Sequence, residues 1–265
     1  MTIISHSHKF IYIKTRKTAS TSIQVLLGRN CGKNDILTPI NPVTSNEIVL
    51  YNKLAKKHKG FISHMSAKQI KKKVGNKIWN QYFKFTFERN PWDKLVSQYH
   101  KKSKQNFENY LKILRKKNSV RIINYKLYEI RSKFAALLSS IRKSRLRRIY
   151  ILISKFYHIF KIKPNLSFEQ WIQSLEQNPY ILPYNHPLYT IKNKVAVDFI
   201  GKFENLEEDL KYILSKLNLP MTKLTKEKST YRTIRNDYRN YYNNETKRLI
   251  EQNFKKEIEL FGYDF

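Results

Sequence analysis

The sequence predicts one α/β domain that carries a basic, helical insertion. Three observations lead there. Two segments, Phe10 to Leu27 and Tyr82 to His100, share the same order of β-rich run, polar loop and helix. No internal repeat or low-complexity linker divides the 265 residues. Lys112 to Lys163 hold sixteen Lys or Arg against one acid, Glu129, with Leu127, Ile130, Phe134, Leu137, Leu138 and Ile141 at three- and four-residue steps, the pattern of amphipathic helices with basic outer faces. The insertion is placed at about 105–165 within a single domain spanning 1–265.

Phe10-Ile11-Tyr12-Ile13 reads as a strand, residues 14 to 22 as a polar loop, and Ile23 to Leu27 as the following helix. Phe61 to His64 reads as a short strand, and Ser66 to Gln69 as a capping box opening a helix that Gly75 stops. Tyr82 to Phe87 is a second strand, followed by a loop broken by Pro91 and a helix with Asp93 as N-cap. Ser167 to Gln170 repeats the capping-box spacing ahead of a helix through Leu175, and Tyr180 to Pro187 is a proline-punctuated loop. Val195 to Ile200 reads as a strand, Asn205 to Leu217 as an amphipathic helix, and Asn244 to Phe261 as the last helix.

With 41% hydrophobic and 14% aromatic residues, the chain buries a core and is no disordered tail. Its formal net charge of +32 calls for an anionic partner, or else for many solvated lysines. The lone Cys31 forms no intramolecular disulfide and leaves no cysteine cluster for zinc, which favours a reducing compartment and a cytoplasmic setting. Neither a signal peptide nor a membrane anchor is readable at the N-terminus, where the only apolar run is Phe10 to Ile13 ahead of Arg16 and Lys17. Ile149 to Phe160 is broken by Lys155 and His158 and too short to span a membrane.

A loop between a strand and a helix gathers free backbone N–H groups and the positive helix end at one point, which suits an anion. Lys17, Thr18, Thr21 and Ser22 add a charge and three hydroxyls there. No glycine lies between Met1 and Leu27, so the nucleotide loop Gly-x-x-x-x-Gly-Lys-Ser/Thr is absent and an ordinary ATPase or kinase is disfavoured. At the second junction Arg89 sits at the strand exit and Ser97 about one turn into the helix, so guanidinium and hydroxyl converge on one phosphate.

Together the two units resemble the phosphate-binding loops of sulfotransferases that use 3′-phosphoadenosine 5′-phosphosulfate (PAPS). The nearest resemblance is to the carbohydrate enzymes of the heparan sulfate 2-O-sulfotransferase and chondroitin type and their bacterial relatives. The family's first loop, Pro-Lys-Thr-x-Gly-Thr-Ser, is similar to Arg16-Lys17-Thr18-Ala19-Ser20-Thr21-Ser22, with Arg16 for the proline and Ser20 for the glycine. Its second, Arg-x-Pro-x-x-Arg/Lys-x-x-Ser-x-Tyr, is matched by Arg89, Pro91, Lys94, Ser97 and Tyr99. Val197 to Asp209 and the tail Phe261 to Phe265 resemble later family segments, whereas Lys112 to Lys163 match none.

The resemblance implies a P-loop-like three-layer fold around a mostly parallel sheet, and transfer of a sulfuryl group from PAPS to a hydroxyl of a carbohydrate. Lys17 would neutralise the departing 5′-phosphate, and Arg16 to Ser22 would hold the phosphosulfate through amides and the hydroxyls of Thr18, Ser20, Thr21 and Ser22. Arg89 and Ser97 would take the 3′-phosphate. His64 stands where the family's basic histidine does, and its ordinary pKa near neutrality suits that role. No metal is expected. For adenine an aromatic platform is expected, with Trp92 and Trp79 among the candidates; Tyr231 to Arg235 is a candidate cover and His186 a weaker acceptor contact. The acceptor is expected to be a surface polysaccharide, glycan or lipid-linked saccharide, anionic in one variant, and the basic segment 112–163 leaves room for peripheral contact with the inner membrane surface. The competing reading is a basic protein that binds nucleic acid or a membrane surface without catalysis.

Overall fold

The computed structural model describes residues 2–55, 60–116, 166–176, 182–222, 224–225 and 237–265. The chain divides into two compact units, one made of Met1–Tyr99 with Phe168–Phe265 and the other of His100–Ser167. In the second unit, residues 100–116 continue a helix, and the rest of the predicted insertion, 117–165, lies outside the described residues.

The first unit is built on a five-stranded sheet of order β3-β1-β2-β4-β7. Its strands are β1 (Thr2–Ser5), β2 (Phe10–Ile13), β3 (Ile36–Leu37), β4 (Phe83–Glu88) and β7 (Phe199–Lys202). β2, β4 and β7 are parallel, while β1 runs antiparallel to both β2 and β3. The parallel half of the sheet is the one expected; sequence reasoning missed β1, although it is as long as β2, and β3, which is only two residues long.

Strand alternation sends side chains to two faces, and both are covered. Phe10 and Tyr12 join Phe85 and Phe87 against α1 (Ser20–Gly28) and α7 (Leu206–Lys216), with Ile23, Leu26, Leu210 and Ile213 as the helical side of that core. Ile11 and Ile13 face the other way, onto Met65, Ala67, Ile70 and Trp79 of the α3 region and onto Leu188. Helix, sheet and helix form three layers, the arrangement that the resemblance implies. A third cluster, Val25, Leu37, Ile40, Ile48 and Tyr51, seats α2 (Asn46–Leu54) beside α1.

Ser66 makes the expected capping box with Gln69 at the start of α3 (Ala67–Gln81). Phe61 to His64, however, is a turn and not a strand: His64 has φ 56°, a left-handed backbone that no strand accommodates. Gly75, at φ 81°, breaks the helical path without ending it, because Ile78 and Trp79 resume the apolar face beyond it. α4 (Pro91–Lys116) starts at Pro91, earlier than predicted. Asn90 precedes it, its Oδ1 accepting the Trp92 N–H at 3.0 Å, so Asn90 is the cap and Asp93 lies in the first turn.

α5 (Phe168–Glu176) is followed by α6 (His186–Tyr189), a two-stranded hairpin of β5 (Thr190–Ile191) and β6 (Lys194–Val195), and β7. The single strand predicted over Val195 to Ile200 is thus two. Between them the Asp198 carboxylate accepts the Lys84 N–H at 2.7 Å and the Asp198 N–H donates to the Lys84 carbonyl at 2.8 Å, which pins the chain where it passes from hairpin to sheet. The last predicted helix is likewise two, α8 (Asn244–Asn253) and α9 (Lys255–Phe261), separated at Phe254. Among the described residues no helix is long and apolar enough to cross a membrane.

Candidate active site

β2 and β4 are adjacent and parallel, so the loops that follow them leave the same edge of the sheet, beyond the carboxyl ends of the strands. The two units singled out in the sequence therefore meet in space. In the first loop Lys17 (φ 65°) and Ala19 (φ 52°) are left-handed while Thr18 between them is not. Such alternation turns successive N–H groups toward one concavity. Ala19 is the N-cap residue of α1 and its methyl group caps nothing, so no side chain of the cap closes this helix N-terminus. Ser20, the residue in place of the family's glycine, adopts no positive φ, and its side chain is accommodated as the first residue of α1.

Lys14 is buried, and its Nζ donates to Gln24 Oε1 at 2.8 Å and to Thr21 Oγ1 at 3.2 Å. Thr15 Oγ1 donates to the Phe87 carbonyl at 2.5 Å, stitching the first loop to β4. Since that bond consumes the Thr15 proton, Thr18 Oγ1, 2.9 Å away, must donate to Thr15. Thr18 is fully buried and its hydroxyl is spent inward on Thr15, a correction to the role expected of it. Ser20 and Ser22 are also buried, Thr21 and Lys17 half-buried and Arg16 exposed.

Arg89 reaches across to the first loop, its Nη1 donating to the Lys17 carbonyl at 3.1 Å. Asp93 Oδ2 holds the same guanidinium through Nε at 2.9 Å and Nη2 at 2.5 Å, and the Phe203 ring lies 3.9 Å from its carbon. Arg89 is therefore oriented on three sides. Ser97 is half-buried four residues beyond Asp93 on α4. Because the helix begins at Pro91, Ser97 stands nearly two turns in, about 9 Å along the axis, rather than one.

His64 Nδ1 lies 3.1 Å from the Lys14 carbonyl. A carbonyl only accepts, so Nδ1 carries the hydrogen and Nε2 is left with its lone pair. Burial above all, and then nearby positive charge including Lys14 and Arg16, pushes the ring's pKa down to about 3. The ordinary value assumed from sequence is thus corrected: in the free protein this histidine is neutral across the physiological range. His186 opens α6, and burial lowers its pKa, with Lys256 acting in the same sense and Glu88 opposing.

Trp92 and Trp79 are 1% and 5% exposed. Trp92 packs edge-on to Phe265, and Trp79 belongs to the core under α3 with Lys84 over its ring, so neither offers a face for adenine. The expected platform does not lie on these two residues, and Tyr231 to Arg235 fall outside the described residues. Among the described residues no group of three or more His, Cys, Asp or Glu side chains is arranged to hold a metal ion.

Sequence reasoning missed the groups that brace these loops. Glu88 and Lys94 are both fully buried, with Lys94 Nζ 2.8 Å from Glu88 Oε1. The same oxygen accepts the Arg89 N–H at 3.0 Å and Asn185 Nδ2 at 2.9 Å. Lys94, read as part of a phosphate motif, is therefore committed to the interior. The six-residue spacing from Glu88 matches no helical pair, and Asn185 lies in what reads as an ordinary loop; neither leaves a local signal.

The comparisons with known proteins agree with this geometry. The model of the Sulfotransferase family matches residues 1–264. A protein of Archaeoglobus fulgidus described as uncharacterized is 30% identical over 159 residues, covering 59% of this chain and 84% of that protein. No solved structure matches. With nearly every residue inside the match, and with the two loops that carry the resemblance side by side at one sheet edge, the chain belongs to the sulfotransferase family, enzymes that transfer sulfuryl groups.

Proposed function

We propose that the protein transfers a sulfuryl group from PAPS to a hydroxyl of a carbohydrate acceptor by in-line displacement. The observation that carries this reading is the contact between the loops, Arg89 Nη1 on the Lys17 carbonyl at 3.1 Å, which brings two basic loops together for one ligand with two anionic groups, a phosphosulfate and a 3′-phosphate. The residues present suit such a donor: a helix N-terminus that no cap side chain closes, Lys17 in the loop that leads into it, and Arg89 bonded to that loop. PAPS supplies the activated sulfuryl group.

The backbone of residues 17 to 22 holds the phosphosulfate, and Lys17 offsets the charge that grows on the departing 5′-phosphate. Arg89 and Ser97 hold the 3′-phosphate, with Arg89 pre-aimed by Asp93. His64 Nε2 takes the acceptor's proton while the oxygen–sulfur bond forms and the bridging sulfur–oxygen bond breaks, leaving 3′-phosphoadenosine 5′-phosphate and a sulfate ester. The proton moves onto a ring whose Nδ1–H is already fixed by Lys14, the tautomer a base working through Nε2 requires. As the anionic donor offsets the surrounding positive charge, the pKa of His64 rises toward a value useful for the step.

Calorimetric titration with the 3′,5′-bisphosphate beside AMP and ATP tests the donor site. The bisphosphate binds wild type most tightly and Arg89→Ala loses that preference. Equal binding of all three nucleotides sinks the proposal, and would turn attention to nucleic acid or lipid as the anion met by the +32 charge. Transfer of labelled sulfate to neutral, uronate-bearing and lipid-linked saccharides then sorts the acceptor class.

A further inference from the structure

We propose that Asn185 is a positioning residue that sets the spacing between the two phosphate-binding loops; the inference rests on the donor reading above. Its side chain is fully buried. The amide oxygen accepts the Arg16 N–H at 2.8 Å, and the amide nitrogen donates to the Arg16 carbonyl at 3.1 Å and to Glu88 Oε1 at 2.9 Å. One side chain thus takes both backbone groups of Arg16, as a neighbouring strand would, and spends its remaining hydrogen on Glu88. The orientation of the amide is fixed by these partners, because the flipped amide would set its oxygen against the Arg16 carbonyl and the carboxylate.

Glu88 ends β4 where the second loop is entered, and Arg16 is the third residue of the first loop after β2. Glu88 Oε1 also accepts the Arg89 N–H at 3.0 Å, so Asn185 is bonded directly to the backbone of the first loop and, through Glu88 Oε1, to that of the second. Its own backbone is anchored separately, at the start of α6, where the Asn185 and His186 N–H groups both point to Glu257 Oε1 at 3.4 Å. A residue far from both loops in sequence therefore joins the direct ties Thr15–Phe87 and Arg89–Lys17 in setting how far apart they lie. Removing the amide takes their partner from Arg16 N–H and Arg16 C=O and one of its donors from the buried Glu88, and the first loop must shift to find others.

Loop spacing matters to a ligand that spans both loops and little to one that occupies the first alone. The bisphosphate is the first kind and AMP the second. Calorimetry on wild type, Asn185→Ala and Leu214→Ala reads the ratio of the two affinities; Leu214 belongs to the core beneath the sheet and controls for lost stability. In Asn185→Ala the bisphosphate should weaken about tenfold or more while AMP changes far less, since small misplacements of binding groups have large effects. Leu214→Ala, with a comparable fall in Tm, should keep the wild-type ratio. Asn185→Asp covers the case in which the alanine variant does not fold: it is the same shape, but loses the N–H donors and sets a carboxylate beside Glu88, so the same collapse of the ratio is expected. An unchanged ratio in either Asn185 variant, or an equal collapse in Leu214→Ala, overturns the inference. A wild type that does not prefer the bisphosphate overturns the donor reading itself, and this inference with it.

Discussion

Lys94→Met is the substitution that most sharply separates a binding lysine from a structural one. Lys94 occupies a position that the second-loop motif gives to Arg or Lys, yet both Lys94 and Glu88 are fully buried and 2.8 Å apart. Glu88 Oε2 has no hydrogen-bond partner among the described residues, so its charge is balanced largely through Oε1. Methionine fills the space of the lysine stem, beside Phe254 whose ring centre is 5.0 Å from Nζ, but leaves the buried Glu88 carboxylate without its cation. Breaking one side of such a pair costs about 3–5 kcal/mol, even where the intact pair adds little to stability. For a domain of this size that corresponds to a fall in Tm of roughly 10 °C. The double variant Glu88→Gln/Lys94→Met removes both charges while Gln keeps an oxygen for the Arg89 N–H and Asn185, and should recover most of the loss. Urea unfolding of wild type, Glu88→Gln, Lys94→Met and the double variant measures the cycle. A loss under about 1 kcal/mol in the single variant, or a double variant no better than the single, would refute the view that Lys94 serves the interior.

Arg89→Ala should weaken bisphosphate binding by about ten- to a hundredfold, the scale of a lost charge-assisted contact, and titration calorimetry reads it directly. His64→Gln should abolish turnover yet leave bisphosphate affinity within about twofold, a split visible by combining a transfer assay with calorimetry. Because burial and nearby positive charge hold the His64 pKa near 3, the unfolded chain takes up a proton that the native one refuses as pH falls from about 6.5 toward 3; native stability declines across that window, and His64→Gln should blunt the decline in pH-dependent unfolding. NMR titration of the same ring should show its pKa rising when bisphosphate binds. Gly201→Ala places a methyl carbon 2.5 Å from the Phe87 ring in the adjoining strand, and should destabilise by about 1–3 kcal/mol in urea with no change in nucleotide preference.

What could be read from the sequence was what depends on local pattern. Phe10 to Ile13 and Phe83 to Phe87 are β-rich runs ending in polar loops, and both are strands; Ser66 and Gln69 announce their capping box at the right spacing. Arg89 was found because it sits in such a pattern. The groups that hold the loops were not, because their contacts are long-range: Glu88 looks like the last residue of a strand, and Asn185 meets Arg16 across 169 positions of chain. Direction along the backbone was lost too. Nothing in Phe61-Ile62-Ser63-His64 discloses that His64 turns left-handed, and that turn is what carries its ring to the Lys14 carbonyl.

The absence of glycine from the first loop finds its physical answer in these long-range ties. A left-handed residue with a side chain costs about 1–2 kcal/mol, and the loop has two, Lys17 and Ala19. Such a conformation persists only where the surroundings over-determine it. Here Thr15 is bonded to the Phe87 carbonyl, Arg16 to Asn185 on both backbone groups, and the Lys17 carbonyl to Arg89. Three consecutive residues are thereby fixed before the chain reaches the first turn of α1. The loop therefore draws its shape from its partners in β4, the start of α4 and α6, where a glycine-rich loop would draw it from backbone freedom. That dependence makes donor binding sensitive to residues that touch no ligand, and it locates the sensitivity at Asn185 and Glu88.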